Sequence, residues 1–80
     1  MSTILVVDDE YLIAQILAYA LEDVGYVVEM AHNGQKALEV LKGKRVDLLI
    51  TDYMMPKLNG EELAIKIREE LQLQALPVIL

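Results

Sequence analysis

The 80-residue sequence contains no cysteine and no tryptophan. Without thiols it can build neither a disulfide scaffold nor a thiolate metal site. Long apolar runs are missing as well. The longest is about half a dozen residues, against the roughly 20 that a membrane-spanning helix needs. The N-terminus, MSTILVVDDE, has no basic region and meets carboxylates directly after its apolar run, so it does not read as a signal peptide. A soluble, cytoplasmic chain without a membrane association is expected. Basic residues are scarce: seven against thirteen acidic ones give a formal net charge of -6. Duplex DNA repels such a surface unless the basic groups cluster. Lys42, Lys44 and Arg45 form the only local group, and Glu39 and Asp47 flank it, so it reads as a helix-end turn. No direct nucleic-acid contact by this segment is expected. His32, the single histidine, is isolated in the sequence and suggests no ligand or relay role. No Gly-rich phosphate-cradling loop is present.

What the sequence does have is a high apolar content, 55%, which excludes disorder. The apolar residues alternate between continuous runs and helical spacing. Ile4 to Val7 is a β-branched run ending at Asp8, Asp9 and Glu10, and it suits the centre of a parallel sheet covered on both faces. From Leu12 the spacing becomes helical, and Leu12, Ile13, Ile16, Leu17, Ala20, Leu21 and Val24 read as one inward stripe. Gly25 is the expected C-cap. Tyr26 to Met30 reads as a second strand, and Glu29 suits an edge position. Asn33 can cap a second helix whose inward residues are Ala37, Leu38 and Leu41, with Gly43 at its end. Val46 to Thr51 predicts a third strand ending at Asp52, and Tyr53 to Gly60 a loop. A third helix follows, with Leu63, Ala64, Ile67 and Leu71 inward and Glu61 and Glu62 at its N-terminal end. Pro77 opens a fourth strand, Val78 to Leu80.

The order β-α-β-α-β-α-β predicts right-handed parallel crossovers with helices on both faces, an α/β three-layer sandwich. The last residues are apolar strand with no turn or polar tail, which reads as a cut within a longer polypeptide. Such a chain is expected to fold poorly alone, or to be completed by another chain or a symmetric partner along strand four.

In a parallel sheet, ligands bind beyond the C-terminal strand ends. Asp8, Asp9 and Glu10 leave the first strand there, and Asp52 leaves the third. With strand one central and strand three beside it, these carboxylates converge although more than forty residues separate them. Close carboxylates repel one another, and a hard divalent cation removes that penalty. Each acid alone is also a common turn former or helix cap, and Asp8 or Asp9 can cap the first helix. The coincidence of an acidic pair at one strand end and an aspartate at another points to function.

Three segments carry a family resemblance: ILVVDDE (Ile4 to Glu10), DLLITDYMMPKLNG (Asp47 to Gly60) and LPVIL (Leu76 to Leu80). Together they resemble the receiver domain of two-component response regulators, over essentially the whole chain. The resemblance implies a flavodoxin-like sheet of order 2-1-3-4, with the fifth strand absent from residues 1–80, which would be the N-terminal portion of the domain. It implies Asp52 as a phosphoacceptor forming an aspartyl phosphate with Mg²⁺ (or Mn²⁺). Asp9 would be a direct ligand, Asp8 would act through water held on the ion, and Met54 would offer its backbone carbonyl. Pro56 and Gly60 would shape the loop. A histidine kinase or histidine phosphotransfer protein is the implied phosphodonor, and the module is a signalling acceptor rather than an enzyme.

Complete receivers place a Ser/Thr past the fourth strand, a Lys ending the fifth and an aromatic switch residue, all beyond residue 80. Lys57 lies in a variable loop and reads as solvated rather than as their substitute. Two other readings remain. A non-phosphorylated interaction module on the same fold is one. An aspartate-nucleophile phosphohydrolase is the other, but its acid/base position, two residues beyond the nucleophile, is Met54, which cannot move a proton. Tyr11 reads as a rim residue, and Tyr53 has the better claim to influence access.

Overall fold

Three parallel crossovers generate the molecule. The structure, a computed structural model, describes residues 2–51, 60–69 and 77–79. In chain order these form β1 (Thr3–Val7), α1 (Tyr11–Asp23), β2 (Val27–Ala31), α2 (Gly34–Gly43), β3 (Leu48–Thr51), α3 (Gly60–Glu69) and β4 (Val78–Ile79). The strands make one sheet of order β2-β1-β3-β4, parallel throughout, with Val7 opposite Ala31 on one side and Thr51 on the other. The expected three-layer α/β architecture and strand order are therefore observed. Strand β1 is central, so helices cover both of its faces and Ile4 to Val7 are all buried. Glu29 lies on β2, at one edge of the sheet, as its charge suggested.

Alternation along β1 divides the core in two. Leu5 and Val7 join Leu49 beneath α2 and α3, against Ala37, Leu41, Leu63 and Ile67. Ile4 and Val6 face α1, against Ala14, with Leu17, Leu21, Leu48 and Ile50 packed around them. The inward residues expected for α2 and α3 are in place, except that Leu38 and Ala64 are half-buried and Leu71 lies outside the described residues, as does Leu80.

Helix α1 is turned differently from the reading above. Ala14 and Ala18 are its buried residues and Leu17 and Leu21 are half-buried, whereas Leu12, Ile13, Ile16, Ala20 and Val24 are exposed. The reason is that α1 is apolar on nearly every side, so periodicity could not select a face. Small alanines let the helix axis approach the sheet, and the larger side chains are displaced outward.

The ends of the elements follow from local hydrogen bonding. At the end of α1 the Gly25 N–H donates to the Glu22 carbonyl and the Tyr26 N–H to the Leu21 carbonyl, at 3.0 and 3.2 Å. This is a Schellman arrangement, and Gly25 takes the positive φ of 102° that it requires. Because Tyr26 is committed to that turn, β2 begins at Val27 and not at Tyr26. No other atom lies within 4 Å of a Cβ added at Gly25, so Gly25→Ala carries backbone strain alone. It is expected to destabilise the chain by about 1–2 kcal/mol, measured by urea unfolding; a neutral result would mean that the turn relaxes out of the left-handed region.

Helix α2 is capped as predicted: Asn33 Oδ1 accepts from the Lys36 N–H at 2.8 Å. Strand β3 is shorter than Val46 to Thr51, since its ladder starts at Leu48. Asp47 instead latches the foot of the sheet. Its N–H donates to the Thr3 carbonyl, and its Oδ2 accepts from the Thr3 N–H, both at 2.8 Å. The basic group nearby is engaged with carboxylates, Lys44 with Glu29 at 3.1 Å and Arg45 with Asp47 at 3.8 Å. Among the described residues no helix is long and apolar enough to cross a membrane.

Candidate functional site

The parallel register makes β1 and β3 end level with one another. Val7 and Thr51 are partners, so the chain leaves the sheet at Asp8 and after Thr51 from adjacent strands, about 4.8 Å apart. Thr51 is itself buried. At the β1 end the Asp8 N–H donates to the Ala31 carbonyl of β2 at 3.1 Å. This extends the pairing one residue past the strand and fixes where the Asp8 side chain departs.

Asp8 is half-buried, and its Oδ1 accepts from the Glu10 N–H at 2.9 Å. That bond closes a turn two residues long. It does not cap the helix. The N-cap residue of α1 is Glu10, whose side chain makes no capping bond, while its carbonyl accepts from the Ile13 and Ala14 N–H groups, each at 3.1 Å. Neither Asp8 nor Asp9 is therefore spent as a helix cap. Asp9 is exposed, and its carboxylate has no hydrogen bond among the described residues. One oxygen of Asp8 holds the turn, which leaves the other, with both oxygens of Asp9, as hard donors at one strand end. Such a donor set fits a small divalent cation.

Asp52 and Met54, the other two residues expected at the site, lie outside the described residues, as do Tyr53, Pro56 and Lys57. Among the described residues no three acidic or histidine side chains gather closely enough to hold a metal; the described part of the site is the Asp8–Asp9 pair.

A shallow cleft adjoins this pair, lined by Asp8, Tyr11, Met30 and His32 with Ala14 and Ala31 beneath. Sequence reasoning treated His32 as isolated. In space it is beside Asp8, because β2 pairs with β1 in parallel and Val7 faces Ala31, so the residues following each strand emerge together. The signal was available in the equal distance of Asp8 and His32 past their strand ends, but only once β1 and β2 are known to be neighbours in that register.

Comparison with known proteins agrees with this geometry. Residues 4–80 match the response regulator receiver domain family. The response regulator MprA of Mycobacterium ulcerans is 45% identical over 65 residues, covering 81% of this chain and 28% of MprA. The structure superposes on the chemotaxis protein CheY4 of Vibrio cholerae with a TM-score of 0.92 at 36% identity, over 98% of this chain and 65% of that one. TrrA of Thermotoga maritima, solved in complex with Mg²⁺-BeF, matches with a TM-score of 0.84 at 40% identity, over 90% of this chain and 63% of TrrA. This chain belongs to the response regulator receiver domain family. It spans less than a third of the length of MprA.

Proposed function

We propose that this chain is the phosphoacceptor portion of a two-component response regulator, taking a phosphoryl group from a phosphohistidine onto Asp52. The observation that supports the reading is the level ending of β1 and β3, with Val7 opposite Thr51: an acid pair not used as a helix cap follows Val7, and Asp52 is next after Thr51 in the sequence. TrrA has been solved with the histidine kinase ThkA, which supports a histidine kinase or phosphotransfer protein as the donor here. In the transfer, a carboxylate oxygen of Asp52 bonds to phosphorus as the phosphorus–nitrogen bond breaks and the electron pair stays on the imidazole. Phosphoryl transfer has a loose transition state, so alignment matters more than the strength of a weak carboxylate nucleophile.

Mg²⁺, which the TrrA complex supports as the cation, would neutralise charge on the phosphoryl oxygens; Mn²⁺ has the same ligand preference. Asp9 would hold the ion directly, Asp8 would steady its hydration, and the Met54 carbonyl and Asp52 would complete the protein donors. The chain would act as a signalling acceptor in the cytoplasm, assisting at most its own phosphorylation and hydrolysis. Pairing of Lys44 and Arg45 with carboxylates supports the absence of direct nucleic-acid contact by this segment.

Incubation with a small phosphodonor and Mg²⁺, followed by reductive trapping of the acyl phosphate and peptide mapping, tests the reading. The label is expected on Asp52; a label on Asp8 or Asp9 alone would reverse the assignment. Separately, Asp9→Ala is expected to weaken Mg²⁺ binding by roughly tenfold or more, since one direct carboxylate ligand is removed. Amide shifts at Asp8 and Glu10 followed through a Mg²⁺ titration measure this. Unchanged affinity would remove Asp9 from the ligand set.

A further inference from the structure

We propose that the Asn33–Gly34 pair is a site of spontaneous covalent modification, loss of ammonia through a cyclic imide, and that the start of α2 is its gate. Both asparagines of the sequence, at 33 and 59, precede a glycine. Glycine has no Cβ, so its backbone nitrogen can be approached closely by the asparagine side chain before it. Asn59 lies outside the described residues, whereas Asn33 and the bonds it makes are described.

The chemistry needs no reagent but water. The Gly34 nitrogen gives its proton to a base and bonds to Asn33 Cγ, closing a five-membered ring. The bond from Cγ to Nδ2 breaks, and Nδ2 leaves as ammonia after taking a proton from water. Water then opens the imide and returns a proton to the Gly34 nitrogen. Attack at Cγ leaves aspartate. Attack at the backbone carbonyl carbon leaves isoaspartate, in which the chain runs through Cβ and Cγ.

The fold holds both oxygens of Asn33 away from that reaction. Oδ1 accepts from the Lys36 N–H at 2.8 Å, and the backbone carbonyl accepts from the Ala37 N–H at 3.1 Å. Ring closure needs Cβ eclipsed with the Gly34 nitrogen about the Cα–C bond. At φ -158° and ψ 171° the backbone is extended, which leaves Cβ staggered, about 60° from that alignment. Turning ψ to close the gap carries the Asn33 carbonyl away from the Ala37 N–H. Bringing Cγ onto the Gly34 nitrogen withdraws Oδ1 from the Lys36 N–H. Ala37 is fully buried in the cluster with Leu5 and Leu49, so it does not follow. Gly34 is buried as well, which keeps base and water from its N–H. The reaction therefore waits for the first turn of α2 to open, a local event that costs less than unfolding the chain.

The two products act oppositely on the cap. Aspartate keeps an oxygen in place of Oδ1 and puts a negative charge at the positive end of α2, so the helix start is kept or strengthened. Isoaspartate lengthens the backbone by one methylene between Asn33 and Gly34, and the Lys36 and Ala37 N–H groups lose their acceptors. His32 directly precedes Asn33 and lines the cleft beside Asp8. The isoaspartate form therefore loosens one wall of that cleft as well as the start of α2.

This site does not depend on the phosphoacceptor reading, and its test uses neither Mg²⁺ nor phosphodonor. The chain is aged in warm neutral buffer and digested, and mass spectrometry follows aspartate and isoaspartate at position 33 separately from position 59. A synthetic peptide of residues 31–36 gives the ungated rate. Asn33 in the chain is expected to convert at least about tenfold more slowly than in the peptide, the scale for opening two hydrogen bonds together. It should reach the peptide's rate once urea has unfolded the chain. Leu41→Ala removes a buried anchor of α2 about two helical turns from Asn33, and should raise the rate several-fold in a chain that circular dichroism shows to be folded. If that variant does not fold, the urea series decides alone. Equal rates in chain and peptide would overturn the gate, as would a folded Leu41→Ala chain that converts no faster than the parent. A peptide that does not convert would overturn the site itself.

Discussion

Replacing Asp52 with asparagine is expected to abolish acyl-phosphate formation while leaving the chain folded. Asparagine has the size of aspartate and keeps one carbonyl oxygen, so position 52 loses no volume. It has no carboxylate oxygen to bond phosphorus, and an amide cannot form the mixed anhydride. In the proposed site the substitution would also remove one of three neighbouring negative charges and so relieve repulsion between like charges. Thermal unfolding should therefore move little, or slightly upward, while reductive trapping after treatment with a small phosphodonor finds no label. Persistent labelling of the variant would show that another carboxylate accepts the group. A loss of labelling accompanied by unfolding would instead make Asp52 structural, and circular dichroism on the same sample separates the two outcomes.

Leu5→Ala should have the largest effect on stability. Leu5 is fully buried in the central strand, in the cluster that includes Leu49, Leu63 and Ile67. Truncating such a side chain leaves a cavity between sheet and helices and costs about 3–5 kcal/mol. An 80-residue domain holds roughly 4–12 kcal/mol in total, so this one change removes a large part of it. The midpoint of thermal unfolding should fall by on the order of 15–30 °C. Leu12→Ala is the control. Periodicity assigned Leu12 to the core as readily as Leu5 was assigned, but its exposure in the fold limits the expected cost to about 0.5 kcal/mol. Urea unfolding of both makes the comparison. If Leu12→Ala proves as damaging as Leu5→Ala, α1 is turned the other way on the sheet.

These two leucines show where sequence reasoning works and where it stops. The β1 run Ile4 to Val7 has one consistent explanation, because four consecutive apolar residues before an acidic pair suit a strand covered on both sides. Its position, the parallel order and the strand-end carboxylates follow from that. The caps were legible as well, since Asn33 and Gly25 act through bonds with residues a few positions away. The outcome at α1 was not legible. Its residues are apolar on almost all sides, so many rotations bury similar area, and the choice falls to how closely Ala14 and Ala18 let the helix approach β1. Likewise Tyr26 has the composition of a strand residue, yet its N–H is taken by Leu21 and the strand starts one residue later.

At the site the division is similar. The sequence alone established which acids stand at strand ends, since Asp8 and Asp9 directly follow an apolar strand and Asp52 another. Only the tertiary structure decided that Asp8 turns its carboxylate to the Glu10 N–H and does not cap α1, and that His32 and Met30 border the same cleft. The cleft depends on the register between strands more than twenty residues apart, whereas the Asp8 turn is a local bond whose choice over a helix cap the sequence left open. Local sequence determines the strands, the caps and the turn chemistry because their energies come from neighbours in the chain. Register and helix rotation come from packing between distant segments, and they settled which face of α1 is core and which is exposed.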